Sequence, residues 1–190
     1  MRTIVERMLP SQFLLDLGVY MQTAAHIELA VWQVTLHIEG FDPHSAKKHP
    51  NYVSLKLNTQ ELLRRFRGCG GVCPQALAHL IHDVAERVAE GIETRNLAAH
   101  GAFFWDSETE GTLGAAHYFA RGRGGDRQFL EVQQTFSRAT VDETIQVANQ
   151  LLHDVIALRE QVIEWRYPNG LPEPSVLSAQ ADADADPASR

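Results

Sequence analysis

The 190 residues suit one domain of moderate size, large enough to bury a core without covalent staples. With 44% hydrophobic and 22% charged residues the composition is that of a soluble globular protein, and no apolar run approaches the roughly 20 residues needed to cross a bilayer. A formal net charge of −7 argues against a surface built to coat nucleic acid, although it leaves room for a local anion site.

Residues 1–10 read as a short N-terminal segment. They lack the basic, long-apolar, small-residue order of a secretory signal, so the expected location is cytoplasmic. From 11 to 38 the chain has no proline and one interior glycine, Gly18, with apolar residues on more than one face. This predicts a long helix buried between others, ended by Gly40 and Pro43. The polar stretch that follows, with Pro50, reads as a loop into a short second helix. Asn58 and Glu61 have the spacing of a capping box there, and Gly68, Gly70 and Gly71 break the helix after "ELLRRF".

A third helix is predicted from near Pro74 to His100. Leu77, Leu80, Ile81, Val84, Val88 and Ile92 form its apolar stripe, and Gly101 follows at the place where a left-handed residue commonly ends a helix. The pattern then changes to "AFFWD", "TLGAAHYFAR" and "RQFLEVQQTF", two or three strands with a glycine-rich turn, read as a hairpin over about 102–137. Thr140 and Glu143 repeat the capping-box spacing ahead of a fourth helix, whose inner side carries Ile145, Ala148, Leu152, Val155, Leu158 and Val162. Residues 168–190, rich in proline, alanine and acid, carry too little apolar surface to offset the entropy of ordering and are expected to be disordered. The expected fold is mainly α: an up-and-down, four-helix-bundle-like domain over 11–167, with a small β-hairpin inserted between the third and fourth helices.

Cys69 and Cys73, followed by His79 and His82, are too closely spaced for a zinc finger, so reduced thiols in a turn are expected, with no metal and no cofactor. Basic residues cluster at Arg64, Arg65 and Arg67 and again at Arg121, Arg123 and Arg127. The ordinary reading of each cluster is a solvated face.

"RNLAAH", Arg95 to His100, is the unusual stretch. Arg95 lies seven residues after Val88 and three after Ile92, almost in line with the apolar stripe, and a guanidinium there needs partners. His100 closes the helix. RNA can be cut without metal when its own 2′-hydroxyl attacks phosphorus, a reaction that needs proton transfer near neutral pH and donors for the charged transition state. Histidine suits the first task and arginine the second, and Asn96 adds a neutral donor. Residues five apart on a straight helix diverge by about 140°, so convergence on one ligand requires unwinding or a second copy related by a twofold axis. Ordinary readings also exist: an ion pair within the chain for Arg95, a helix cap for His100, and a plain strand position for His117 unless the hairpin folds back over the site. His26, His37 and His153 read as polar or half-buried helix positions.

At Arg95, Asn96, His100 and Gly101 the sequence resembles the HEPN superfamily, over a body of about 11–166. That resemblance implies a helical homodimer in which Arg95 and His100 are the catalytic pair and Asn96 a polar helper. It further implies a metal-independent endoribonuclease of toxin or defence type, for which an antitoxin or nucleotidyltransferase is a possible partner; the basic cluster of Arg121, Arg123 and Arg127 supplies candidate RNA contacts. The alternative it leaves open is a non-catalytic helical dimer that binds a nucleotide or a protein. Catalysis needs Arg95 and His100 exposed to a shared cleft, whereas a structural role would bury Arg95 in a closed pair.

Overall fold

The structure, a computed structural model, describes residues 3–41, 59–105, 112–121 and 128–170. In chain order they form α1 (Ile4–Met8), α2 (Ser11–Ile38), α3 (Thr59–Cys69), a 3-10 turn (Gly70–Val72), α4 (Gln75–His100), β1 (Ala102–Trp105), β2 (Leu113–Arg121), β3 (Gln128–Phe136) and α5 (Arg138–Arg166). The loop expected before the second helix, the Asn58 cap, the glycine-rich turn with Arg123 and Arg127, and all but the first three residues of the expected disordered tail lie outside the described residues.

Each helix end has a local cause. The Thr3 hydroxyl accepts from the Glu6 amide while the Glu6 carboxylate accepts from the Thr3 amide at 2.6 Å, a capping box that makes a short helix of the N-terminal segment. At the end of α2, Gly40 takes φ 82°. The Phe41 amide donates to the Leu36 carbonyl at 2.8 Å and the Gly40 amide to the His37 carbonyl at 3.1 Å, a Schellman closure that seats Phe41 on the core. Gly101 departs from expectation. It is extended (φ −72°, ψ 143°), because the chain passes straight from α4 into β1. A glycine is still required, since a Cβ there would lie 2.5 Å from the Leu97 carbonyl oxygen. The start of α5 also differs: Ser137, not Thr140, is the cap. Its hydroxyl accepts from the Thr140 amide at 3.1 Å, so the helix begins as soon as β3 ends.

The main core lies between α2, α3, α4 and α5, with Val31, Val34, Phe66, Ile81, Val84, Val155, Leu158 and Val162 at its centre. Each such side chain contributes roughly 1.5–3 kcal/mol on full burial. The C-terminal part of α2 is enclosed on every side, Val34 through Ile38 all being buried, while its N-terminal part leaves Leu15 and Val19 exposed. The stripe of α4 is buried at Leu77, Ile81, Val84 and Val88, but Leu80 faces solvent. On α5, Leu151 is buried, and Leu152 packs half-buried against the same core. Ion pairs lock the helices at their surface: Arg87 donates to Asp154 at 2.7 Å across α4 and α5, and Arg138 joins the buried Asp16 of α2 to Asp142. No helix among the described residues is long and apolar enough to cross a membrane.

The strands form an antiparallel sheet in the order β1-β2-β3, with Ala102 opposite Ala116 and Leu113 opposite Phe136. Side-chain alternation puts Phe103, Leu113, Ala115 and Phe136 on one face. That face meets the helices in a second, smaller cluster with Leu9 and Phe13, where the Phe13 and Phe103 rings lie 5.2 Å apart. On the other face, Phe104 lies over Gly114, where a Cβ would meet the ring at 2.3 Å.

Two consequences can be measured. Gly101→Ala forces the end of α4 away from β1 and should destabilise the fold by about 1–3 kcal/mol in denaturant titration. Asp154→Asn should lower the melting temperature slightly at neutral pH, since a half-exposed pair contributes at most about 1 kcal/mol. Its hydrogen bond from Arg87 holds the Asp154 carboxyl below the usual carboxylate range, so this contribution is present above the unfolded carboxylate pKa of about 3.9 and lost as pH falls through the lower folded value. The wild-type advantage should therefore close in acid melts.

Candidate functional site

Arg95 and Asn96 line a cleft of about 480 Å³ between α2, α4 and α5, with Thr59 at the head of α3 on its border. Its α2 wall is made by Tyr20, Ala24, Ile27 and Glu28, which recur at helical spacing and so share a face. Arg95 reaches across to Glu28 at 3.2 Å, with the two side chains 35% and 29% exposed, and the Thr59 hydroxyl donates to the same Glu28 oxygen at 3.4 Å. The Asn96 side-chain carbonyl accepts from Arg95 at 3.2 Å, which leaves the Asn96 amide group to donate elsewhere. Burial pushes the Tyr20 phenol up, with the Arg95 charge opposing, so at neutral pH it too is a hydroxyl donor in this cleft. Glu28 and Tyr20 were not singled out in the sequence; the signal was the i, i+4, i+8 recurrence of Tyr20, Ala24 and Glu28 on the helix that must face Arg95.

Helix α4 stays wound to its end, the Gly101 amide donating to the Leu97 carbonyl at 2.7 Å. Arg95 and His100 therefore diverge by about 140°, as five residues of straight helix require. His100 does not line the cleft that holds Arg95 and Asn96. It is exposed at the helix terminus, and its ring stacks on that of His117 with centroids 6.0 Å apart and planes at 25°. This pairing has a geometric cause. With only Gly101 between α4 and β1, the register that sets Ala102 opposite Ala116 carries His117 alongside the helix end. Period-two alternation then turns His117 to the face of Leu113 and Ala115, the face that packs on the helices.

The remaining candidates are dispersed. Arg121 ends β2, while Arg123 and Arg127 lie outside the described residues. In the other basic cluster each arginine meets a carboxylate, Arg64 with Glu61, Arg65 with Glu39 at 2.6 Å and Arg67 with Glu86 at 3.1 Å, so these charges are matched within the fold. His26 and His153 are exposed. His37 is buried, edge-on to Tyr167 at 5.9 Å. His79 and His82 are exposed on α4, and no group of three metal-ligating side chains occurs among the described residues.

Cys69 sits in the main core and Cys73 half-buried beside it, both as free thiols. Burial, aided by the charge of Glu39, pushes the Cys69 thiol up to about 12, and burial also raises Cys73. A raised thiol pKa means less thiolate at any given pH, so iodoacetamide at pH 8 should label Cys73 slowly and leave Cys69 unmodified until the protein is unfolded, as peptide mass mapping would show. Comparison with family models, with curated proteins and with solved structures finds no match to this chain.

Proposed function

We propose that this protein is a metal-independent endoribonuclease of HEPN type, working as a homodimer and acting as a toxin or defence effector held in check by an antitoxin or nucleotidyltransferase partner. The observation that carries this reading is the accessibility of the motif: His100 is exposed at the close of α4, and Arg95, five residues earlier, remains a third exposed at the cleft. The helical elements α2 to α5 are read as the four-helix-bundle-like body of such an enzyme, and the sheet as its inserted hairpin.

In this reading Arg95 and the Asn96 amide hold the scissile phosphate, and His100 transfers a proton as the 2′-hydroxyl attacks phosphorus. A twofold axis brings Arg95 of one protomer toward His100 of its partner, which the divergence of the two residues along one helix makes necessary. Exposed apolar side chains at Leu15 and Val19 on α2 and Val147 on α5 supply area for a second copy. A phosphate displaces Glu28 from Arg95 on binding; Glu28 otherwise keeps the guanidinium oriented.

The Arg95–Glu28 pair also favours a second reading, a non-catalytic helical dimer that binds a nucleotide or a protein and uses Arg95 to tie α4 to α2. Purified protein incubated with total RNA in chelator, beside Arg95→Ala and His100→Ala, separates the two, with the mass of each measured in solution. The ribonuclease reading expects cleavage that falls by about 10²-fold or more in both variants while all three stay dimeric. A folded wild-type dimer that leaves RNA intact selects the binding reading.

A further inference from the structure

We propose that His117 is the second proton-transfer group of the site, so that the His100–His117 pair supplies both the base and the acid for RNA cleavage. This rests on the ribonuclease reading and adds to it a residue that the arginine–histidine motif does not contain. The two rings are stacked at 6.0 Å and 25°, His100 exposed and His117 half-buried on β2. Gly101 alone separates the helix of His100 from β1, and β1 pairs with the β2 strand that carries His117, so their spacing is set by the helix end and the strand register. His117 continues the face of β2 occupied by Leu113 and Ala115, both buried and apolar, so a polar ring is placed there where the face reaches the helix terminus and solvent.

Cleavage requires two proton movements. The O2′–P bond forms as the 2′-hydroxyl loses its proton to one neutral imidazole. The P–O5′ bond breaks as the other imidazole, protonated, delivers its proton to the departing O5′. The products are a 2′,3′-cyclic phosphate and a 5′-hydroxyl. One ring has gained a proton and the other lost one, and exchange with water restores both. The entering and departing oxygens stand on opposite sides of phosphorus, and two rings side by side, 6.0 Å between centroids, offer one in-plane nitrogen edge to each. A lone histidine would have to serve both oxygens in turn.

The test uses the full chain in chelator and two oligonucleotides spanning a mapped cut site. One carries the natural linkage, and the other has sulfur in place of O5′, whose thiolate leaves without needing a proton. Wild type, His100→Gln, His117→Gln and His117→Asn are compared, with helical content and melting recorded for each. On the natural linkage the proposal expects loss of about 10²-fold or more in the variants of both histidines. On the sulfur linkage it expects recovery to near the wild-type rate for one histidine position and continued loss for the other, which identifies the acid and the base. Folded His117 variants that cut the natural linkage as wild type does, or recovery at both positions or neither, overturn the pairing and leave His100 as the single proton-transfer group. A wild type that cuts neither oligonucleotide overturns the ribonuclease reading, and the pairing with it.

Discussion

One residue, Gly101, stands between the last turn of α4 and the first residue of β1, and the arrangement of helices against sheet depends on that junction. The Leu97 carbonyl that receives the Gly101 amide is also the atom that a side chain at 101 would strike. The chain therefore leaves the helix in extended conformation with no slack, and β1 is fixed in direction by α4 itself. Everything downstream inherits that constraint. β2 pairs with β1 in one register, its apolar face falls on Leu9 and Phe13, and His117 arrives beside His100. A loop of several residues at this point would have freed the sheet to pack elsewhere.

Charge is arranged to a similar end. Against a net charge of −7, the arginines with placed partners each meet an acid or an amide: Arg87 with Asp154, Arg138 with Asp16, Arg95 with Glu28, Arg159 with Gln33. Several of these contacts join elements distant in sequence, so the positive charge is used largely to register helices against one another. At these pairs an anion such as a phosphate would reach the arginine by displacing its carboxylate. At Arg95 the pair is about a third exposed at a cleft wall, and the neighbouring Asn96 amide can add a neutral hydrogen bond.

Much of this was legible in the residues. The 11–38 helix, the end of α4 at His100 and the change of period to strands all follow from apolar spacing and from the placement of glycine and proline, because those signals act within one element. The errors share a cause. Thr140 and Gly101 carry plausible capping chemistry, yet the true geometry at both places is set by how little chain lies between helix and strand, which no single helix reveals. Leu80 fits the stripe of α4 as well as Ile81 does, and only the position of the neighbouring helices decides which is covered. Arg95 could be recognised as a charge in an apolar stripe, but its partner Glu28 lies 67 positions earlier, on a helix whose facing side depends on packing.

The separation of Arg95 from His100 follows from the same helix that makes both recognisable. An unbroken α4 sends Arg95 toward α2, where it meets Glu28 and Tyr20, and sends His100 toward the sheet, where it meets His117. One chain thus carries two separate polar clusters, and the rigidity of the helix keeps them apart; on the proposed ribonuclease reading the first holds an anion and the second moves protons. On that reading, joining them would take a second copy whose anion-holding half faces the first copy's histidines. A twofold axis performs that operation twice at once, giving two composite sites from two incomplete ones. In such an arrangement activity would depend on assembly, because dissociation would remove phosphate from reach of the histidines without altering either half-site.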